Sequence, residues 1–90
     1  MGWRIVQQPN GLYARFSEVV DDFTDYDMTP AEAEECCLEY VGRREAKATV
    51  QRGIDAGPAR FTQAINTIRT VHGEHLANER QHALSQAIGG

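Results

Sequence analysis

Long apolar runs are missing from this chain of 90 residues. No stretch approaches the roughly 20 apolar residues that a membrane-crossing helix needs, so no membrane span is expected. The first ten residues alternate apolar with polar side chains around one arginine, without the basic head and apolar block of a secretory leader. Cysteine is scarce as well. Cys36 and Cys37 are adjacent, which puts their Cα atoms about 3.8 Å apart, below the usual disulfide span. They build no disulfide framework, and a reducing cytoplasm is the expected compartment. The phosphate loops G-x-x-x-x-G-K-S/T and G-x-G-x-x-G and the zinc motif H-E-x-x-H do not occur. The length excludes a two-domain dinucleotide enzyme, a TIM barrel or a kinase. No serine or threonine stands in a nucleophile-elbow context, and the glutamates around Cys36 and Cys37 disfavour a thiolate. The expectation is a protein that is not an enzyme and carries no cofactor.

What is present suits one small folded domain over residues 1–90, with 41% hydrophobic and 24% charged residues. Residues 1–28 read as a small sheet. Trp3 and Ile5 alternate with Arg4 and Val6, and Leu12, Ala14 and Phe16 alternate with Tyr13 and Arg15. Asn10-Gly11 tolerates positive φ at both turn positions, which favours a tight hairpin between these runs. Val19 to Met28 reads as a third strand or an irregular extended piece, since its repeated aspartates argue against a long regular strand.

Residues 29–56 read as a capped helical segment. Thr29, Pro30 and Glu32 form a capping box with proline at the first helical position. Ala33, Cys37, Tyr40 and Val41 share a face, Gly42 ends or interrupts the helix, and Ala46, Val50 and Ile54 recur four apart. Gly57-Pro58 is a break. Residues 58–88 then read as a helix or helix pair, because Phe61, Ile65, Ile68, Val71, His72, Leu76, Ala83 and Ala87 fit one stripe with Gly73 as its weak point. Unbroken, it would be about 45 Å long at about 1.5 Å per residue, too long for a compact chain of this size. Either it folds back at Gly73 or it packs against another subunit through Phe61, Ile65, Ile68, Leu76 and Ala83. The second outcome, self-association, is the expected one. The fold class is therefore α+β: an antiparallel hairpin or three-stranded sheet, then two or three helices, the last long and at an oligomer interface.

Charge is unevenly spread. Residues 1–42 hold nine acidic and two basic side chains, a balance of −7, and residues 43–90 hold four acidic and seven basic ones, +3. Between residues 18 and 39 there is neither lysine nor arginine. Asp21, Asp22, Asp25, Asp27, Glu32 and Glu35 are the candidate partner-binding residues, an acidic face that would dock on a basic protein surface. The same aspartates offer hard oxygen ligands, but no central glycine and no glutamate at the twelfth position complete a calcium loop. The basic residues are arginines apart from Lys47. Arg43, Arg44, Lys47 and Arg52 are the alternative site, for a phosphate-bearing small ligand or nucleic acid. The net charge of −4 and the lack of an aromatic ladder weigh against nucleic acid. His72, His75, Glu79 and His82 would line one side of an unbroken helix, and Glu79-x-x-His82 matches the unit that di-iron bundles supply from a helix. That is the third reading, a metal-binding helical oligomer.

The segments Trp3 to Ser17, Val20-Asp21-Asp22-Phe23 and Met28-Thr29-Pro30 together resemble small accessory proteins encoded by phages and related mobile elements, in their hairpin followed by a capped helix. The resemblance implies a protein that binds and blocks host defence machinery, in the cytoplasm of the host cell. The expected function is thus non-catalytic occlusion of a host protein's basic surface by the acidic face.

Overall fold

The computed structural model describes residues 2–87. Three strands come first, β1 (Trp3–Gln7), β2 (Tyr13–Ser17) and β3 (Asp22–Met28), followed by α1 (Pro30–Ala56), α2 (Ala59–His72) and α3 (Glu74–Ser85). The strands form one antiparallel sheet in the order β1-β2-β3. This is the expected α+β arrangement. The expected helix end at residue 88 lies outside the described residues. No helix is long and apolar enough to cross a membrane among the described residues.

Period-two alternation sends successive side chains to opposite faces, and here both faces are buried. Val6, Ala14, Phe16 and Phe23 pack against Phe61, Ala64, Ile65 and Ile68 of α2 and Ala77 and Leu84 of α3. Ile5, Tyr13 and Met28 pack on the other face against Ala33, Cys37, Ala46 and Val50 of α1. The result is a three-layer sandwich, with α1 on one side of the sheet and the α2–α3 pair on the other. Phe23 anchors the second side, edge-on to Phe16 (5.4 Å between centroids) and stacked on Phe61 (6.0 Å). Each such buried ring contributes about 1.5–3 kcal/mol.

Local chemistry sets the ends of the elements. Glu32 N–H donates to Thr29 Oγ1 (3.2 Å) and Thr29 N–H donates to Glu32 Oε1 (2.9 Å), closing the capping box. Gly42, at φ 80°, interrupts α1. The first hairpin differs from expectation. Gly11 N–H donates to Gln8 O, Gln8 N–H donates to Leu12 O, and Asn10 is not among the residues with positive φ, whereas Gly11 has φ 88°. The connection is therefore a three-residue loop, with Pro9 fixing the first corner and Gly11 alone taking the left-handed position. The aspartates of β3 leave their mark too: its pairing with β2 shifts register twice, and Asp27 sits at φ 57°.

The C-terminal stripe, expected as an oligomer seam, closes largely on its own chain. Gly73, at φ 104° and ψ 168°, separates α2 from α3, a conformation essentially restricted to glycine. The two helices fold against each other, and Phe61, Ile65 and Ile68 are buried inside the chain itself. The break also resets the helical phase. Ala77 and Leu84 are buried, Leu76 is partly covered, and Ala83 is exposed. The radius of gyration, 12.5 Å, is near the roughly 13 Å expected of a compact chain this long.

Candidate anion-binding cleft

β1 is an edge strand, and its outer edge is where α1 and α2 converge. Gly53 near the end of α1 makes this possible. A Cβ there would lie 2.8 Å from both the carbonyl oxygen and Cγ2 of Ile5, so only glycine lets the helix approach the strand so closely. That contact holds Arg52 beside the strand. Pro58 starts α2 immediately afterwards, and Arg60 in its first turn reaches back to donate from Nη1 to Ile5 O (3.1 Å). Arg4 projects from β1 itself. Arg4, Arg52 and Arg60, with Trp3, Thr49 and Glu18, line a cleft of about 220 Å³. It shares Arg4, Glu18 and Arg60 with a neighbouring cleft of about 330 Å³, which is walled also by Phe16, Asp21, Gln63, Ala64 and Thr67.

The three guanidiniums differ in how their charge is met. Arg4 pairs with Glu18. Arg52 Nη2 lies 3.6 Å from Glu45 and donates to Thr49 Oγ1 (3.0 Å). Arg60 has no carboxylate partner among the described residues. Burial, and then the charges of Arg4 and Arg52, push the Arg60 guanidinium below its usual pKa. It still carries its proton at neutral pH, so the cleft keeps one guanidinium whose charge no carboxylate meets among the described residues, beside two that are paired.

Most of the expected acidic face is used by the fold. Asp22 makes a two-pronged pair with Arg80 of α3, 3.0 Å from Nε and 3.0 Å from Nη2. Asp25 lies 3.2 Å from Nε of Arg15, whose guanidinium stacks over Tyr40 and Trp3. Asp27 Oδ1 accepts from Gln8 Nε2 (2.8 Å) and Asn10 Nδ2 (3.1 Å). Buried Gln8 also donates to Leu84 O and accepts from Asp27 N–H, and Asn10 donates to Gln86 O. This network ties the hairpin loop and β3 to the end of α3. Glu32 closes the capping box. Asp21 lines the larger cleft. Glu35 remains exposed on the outside of α1.

The other expected constellations come apart. Arg43, Arg44 and Lys47 are exposed on α1, and of the expected basic set only Arg52 reaches the cleft. Gly73 divides the histidine stripe. His72 ends α2 and donates from Nε2 to Val20 O (2.9 Å). His75 lies 3.6 Å from Glu79 on the outside of α3, and His82 accepts from the Gln86 amide. Among the described residues, no group of three or more His, Cys, Asp or Glu side chains comes together to hold a metal. Cys37 is buried, and burial pushes its thiol up to about 11. Burial and then Asp25 raise Cys36. Neither is poised as a nucleophile.

Arg4 and Arg60 are the site residues that the sequence reading did not single out. Arg4 carries a weak signal, as a cation alternating with Ile5 and sharing a strand face with Val6. Arg60 carries none beyond its place just after the Gly57-Pro58 break. No protein-family model matches this chain, and neither a curated protein nor a solved structure matches it.

Proposed function

We propose that this chain is a non-catalytic binding module that holds a phosphate-bearing ligand in the cleft of Arg4, Arg52 and Arg60. The observation that carries the reading is Arg60, a guanidinium beside two others and without a carboxylate partner among the described residues. Arginine's planar fork suits two-pronged contact with phosphate oxygens, and Thr49, Gln63 and Thr67 around it supply further polar contacts. Calorimetric titration with inorganic phosphate and pyrophosphate tests it. Saturable binding that weakens at least tenfold in Arg60→Gln and Arg52→Gln supports the reading, and equal affinity in both variants overturns it.

A second reading is the acidic docking face of a phage-type inhibitor. Glu34, Glu35 and Glu39 of α1 favour it, since none has a basic partner within 4.0 Å among the described residues. Its fair test is Glu35→Lys with Glu39→Lys, which leaves the pairs of Asp22, Asp25 and Asp27 intact. Binding to immobilised poly-lysine should fall in that variant; unchanged binding removes the docking face. We take its compartment to be a cytoplasm, in keeping with the two free thiols.

A further inference from the structure

The arginines of the cleft are enclosed by carboxylates. Glu18 pairs with Arg4, Glu45 stands beside Arg52, and Asp21 lines the adjoining wall. A nucleic-acid strand carries a charge about every 3.4 Å along its axis, so the phosphates on either side of one seated on Arg60 would meet these carboxylates. The positive charge here is a spot rather than a track. We propose that the cleft takes one compact phosphate group, free or as the terminal monoester of a small molecule, and that Glu18 is an internal stand-in which this phosphate displaces from Arg4. The proposal rests on the reading of the cleft as a phosphate site.

Glu18 is placed for such an exchange. It follows β2 directly, and its backbone is fixed by an N–H···O bond to Gly2 (2.6 Å). Its side chain is 43% exposed and free to swing into solvent without disturbing the sheet. Beyond it the chain turns through Val19, which is 82% exposed, and Val20, before Asp21 at φ 52° leads into β3. His72 holds this turn at Val20 O and the Val19 N–H donates to Ser17 Oγ, but neither bond involves the Glu18 side chain, so its release breaks no core contact. While the cleft is empty, Glu18 reduces the mutual repulsion of Arg4 and Arg60. When phosphate arrives, its oxygens take over that task and reach Arg60 and Arg52 as well. Ligand affinity is then a difference, the phosphate contacts less the Arg4–Glu18 pair that they replace.

Affinities for inorganic phosphate, ribose 5-phosphate and a short single-stranded oligonucleotide test this, measured on the wild type, Glu18→Gln, Arg60→Gln, Arg52→Gln and the remote control Glu35→Gln. Glu18→Gln should bind phosphate about three- to fivefold more tightly, the worth of an exposed ion pair that no longer competes, with Glu35→Gln unchanged. Amide signals of Val19 and Val20 should move on phosphate addition in the wild type and far less in Glu18→Gln. Ribose 5-phosphate binding more tightly than phosphate identifies a monoester as the ligand, and equal binding identifies the free anion. Unchanged or weaker binding in Glu18→Gln, with binding lost in Arg60→Gln or Arg52→Gln, overturns the displacement while leaving the cleft as a phosphate site. An oligonucleotide that binds more tightly than either small ligand overturns the single-phosphate assignment. No binding of any probe to the wild type removes both. Arg52→Gln keeps the test valid if loss of the Arg60–Ile5 bond unfolds Arg60→Gln.

Discussion

The two edges of the sheet treat charge in opposite ways. Along β3, where the sequence is densest in carboxylates, Asp22, Asp25 and Asp27 are each matched by an arginine or an amide from elsewhere in the fold. Along β1, where the sequence shows one arginine, two more arrive from α1 and α2, and Arg60 has no carboxylate partner among the described residues. The density of charge in a sequence therefore does not measure the charge that a surface can offer. A run of aspartates can be structural cement, while an isolated cation becomes part of a site when distant elements deliver others beside it.

Substitutions at each edge can break this contrast. The largest effect belongs to the β3 side. Gln8→Leu removes a buried amide that joins Asp27, Asn10 and Leu84 and strands their polar groups, so urea unfolding should report a loss of about 2–4 kcal/mol. Next is Gly53→Ala, which forces α1 away from Ile5. It should cost about 1–3 kcal/mol by overpacking and weaken phosphate binding, because Arg52 and Arg60 lose their placement against β1.

Asp22→Asn should cost about 1–2 kcal/mol at neutral pH, read from the urea midpoint, and it also has a pH signature. Burial alone would raise the Asp22 carboxyl, but the Arg80 and Phe23 hydrogen bonds and the Arg80 charge outweigh it and hold the group below its ordinary value. Its stabilisation is thus present above the unfolded value of about 3.9 and is lost as pH falls through that value toward the lower folded one. The wild type should lose thermal stability below about pH 4, and Asp22→Asn should show a shallower fall there. The smallest effect is that of Arg43→Gln with Arg44→Gln and Lys47→Gln. These side chains are exposed on α1, so stability should stay within about 0.5 kcal/mol and phosphate affinity should be nearly unchanged.

Features set by neighbours in sequence were legible in the sequence alone. The Thr29–Glu32 capping box, the interruption at Gly42, the break at Gly57-Pro58 and the face alternation of the first two strands all follow from local chemistry. The phase of the C-terminal stripe was not. Gly73 permits either a continuous helix or a fold-back, and burial of Phe61, Ile65 and Ile68 against the sheet decides between them. The hairpin loop was half legible, because Asn10-Gly11 marks a reversal but the preceding Pro9 selects its form. The cleft was least legible. Arg4 meets Arg52 because Gly53 admits a backbone contact across 48 positions, and nothing local at Gly53 announces that contact. The Asp22–Arg80 pair, 58 positions apart, is hidden for the same reason, which made the aspartates look available.

One measurement addresses the contrast between the edges directly: phosphate titrated into the labelled protein with every backbone amide followed. The account predicts saturable shifts confined to residues around Arg4, Glu18, Arg52 and Arg60, with the β3 edge and the surface around Arg43, Arg44 and Lys47 unmoved. Shifts centred on Arg43 to Lys47, or none at any phosphate concentration, would contradict it.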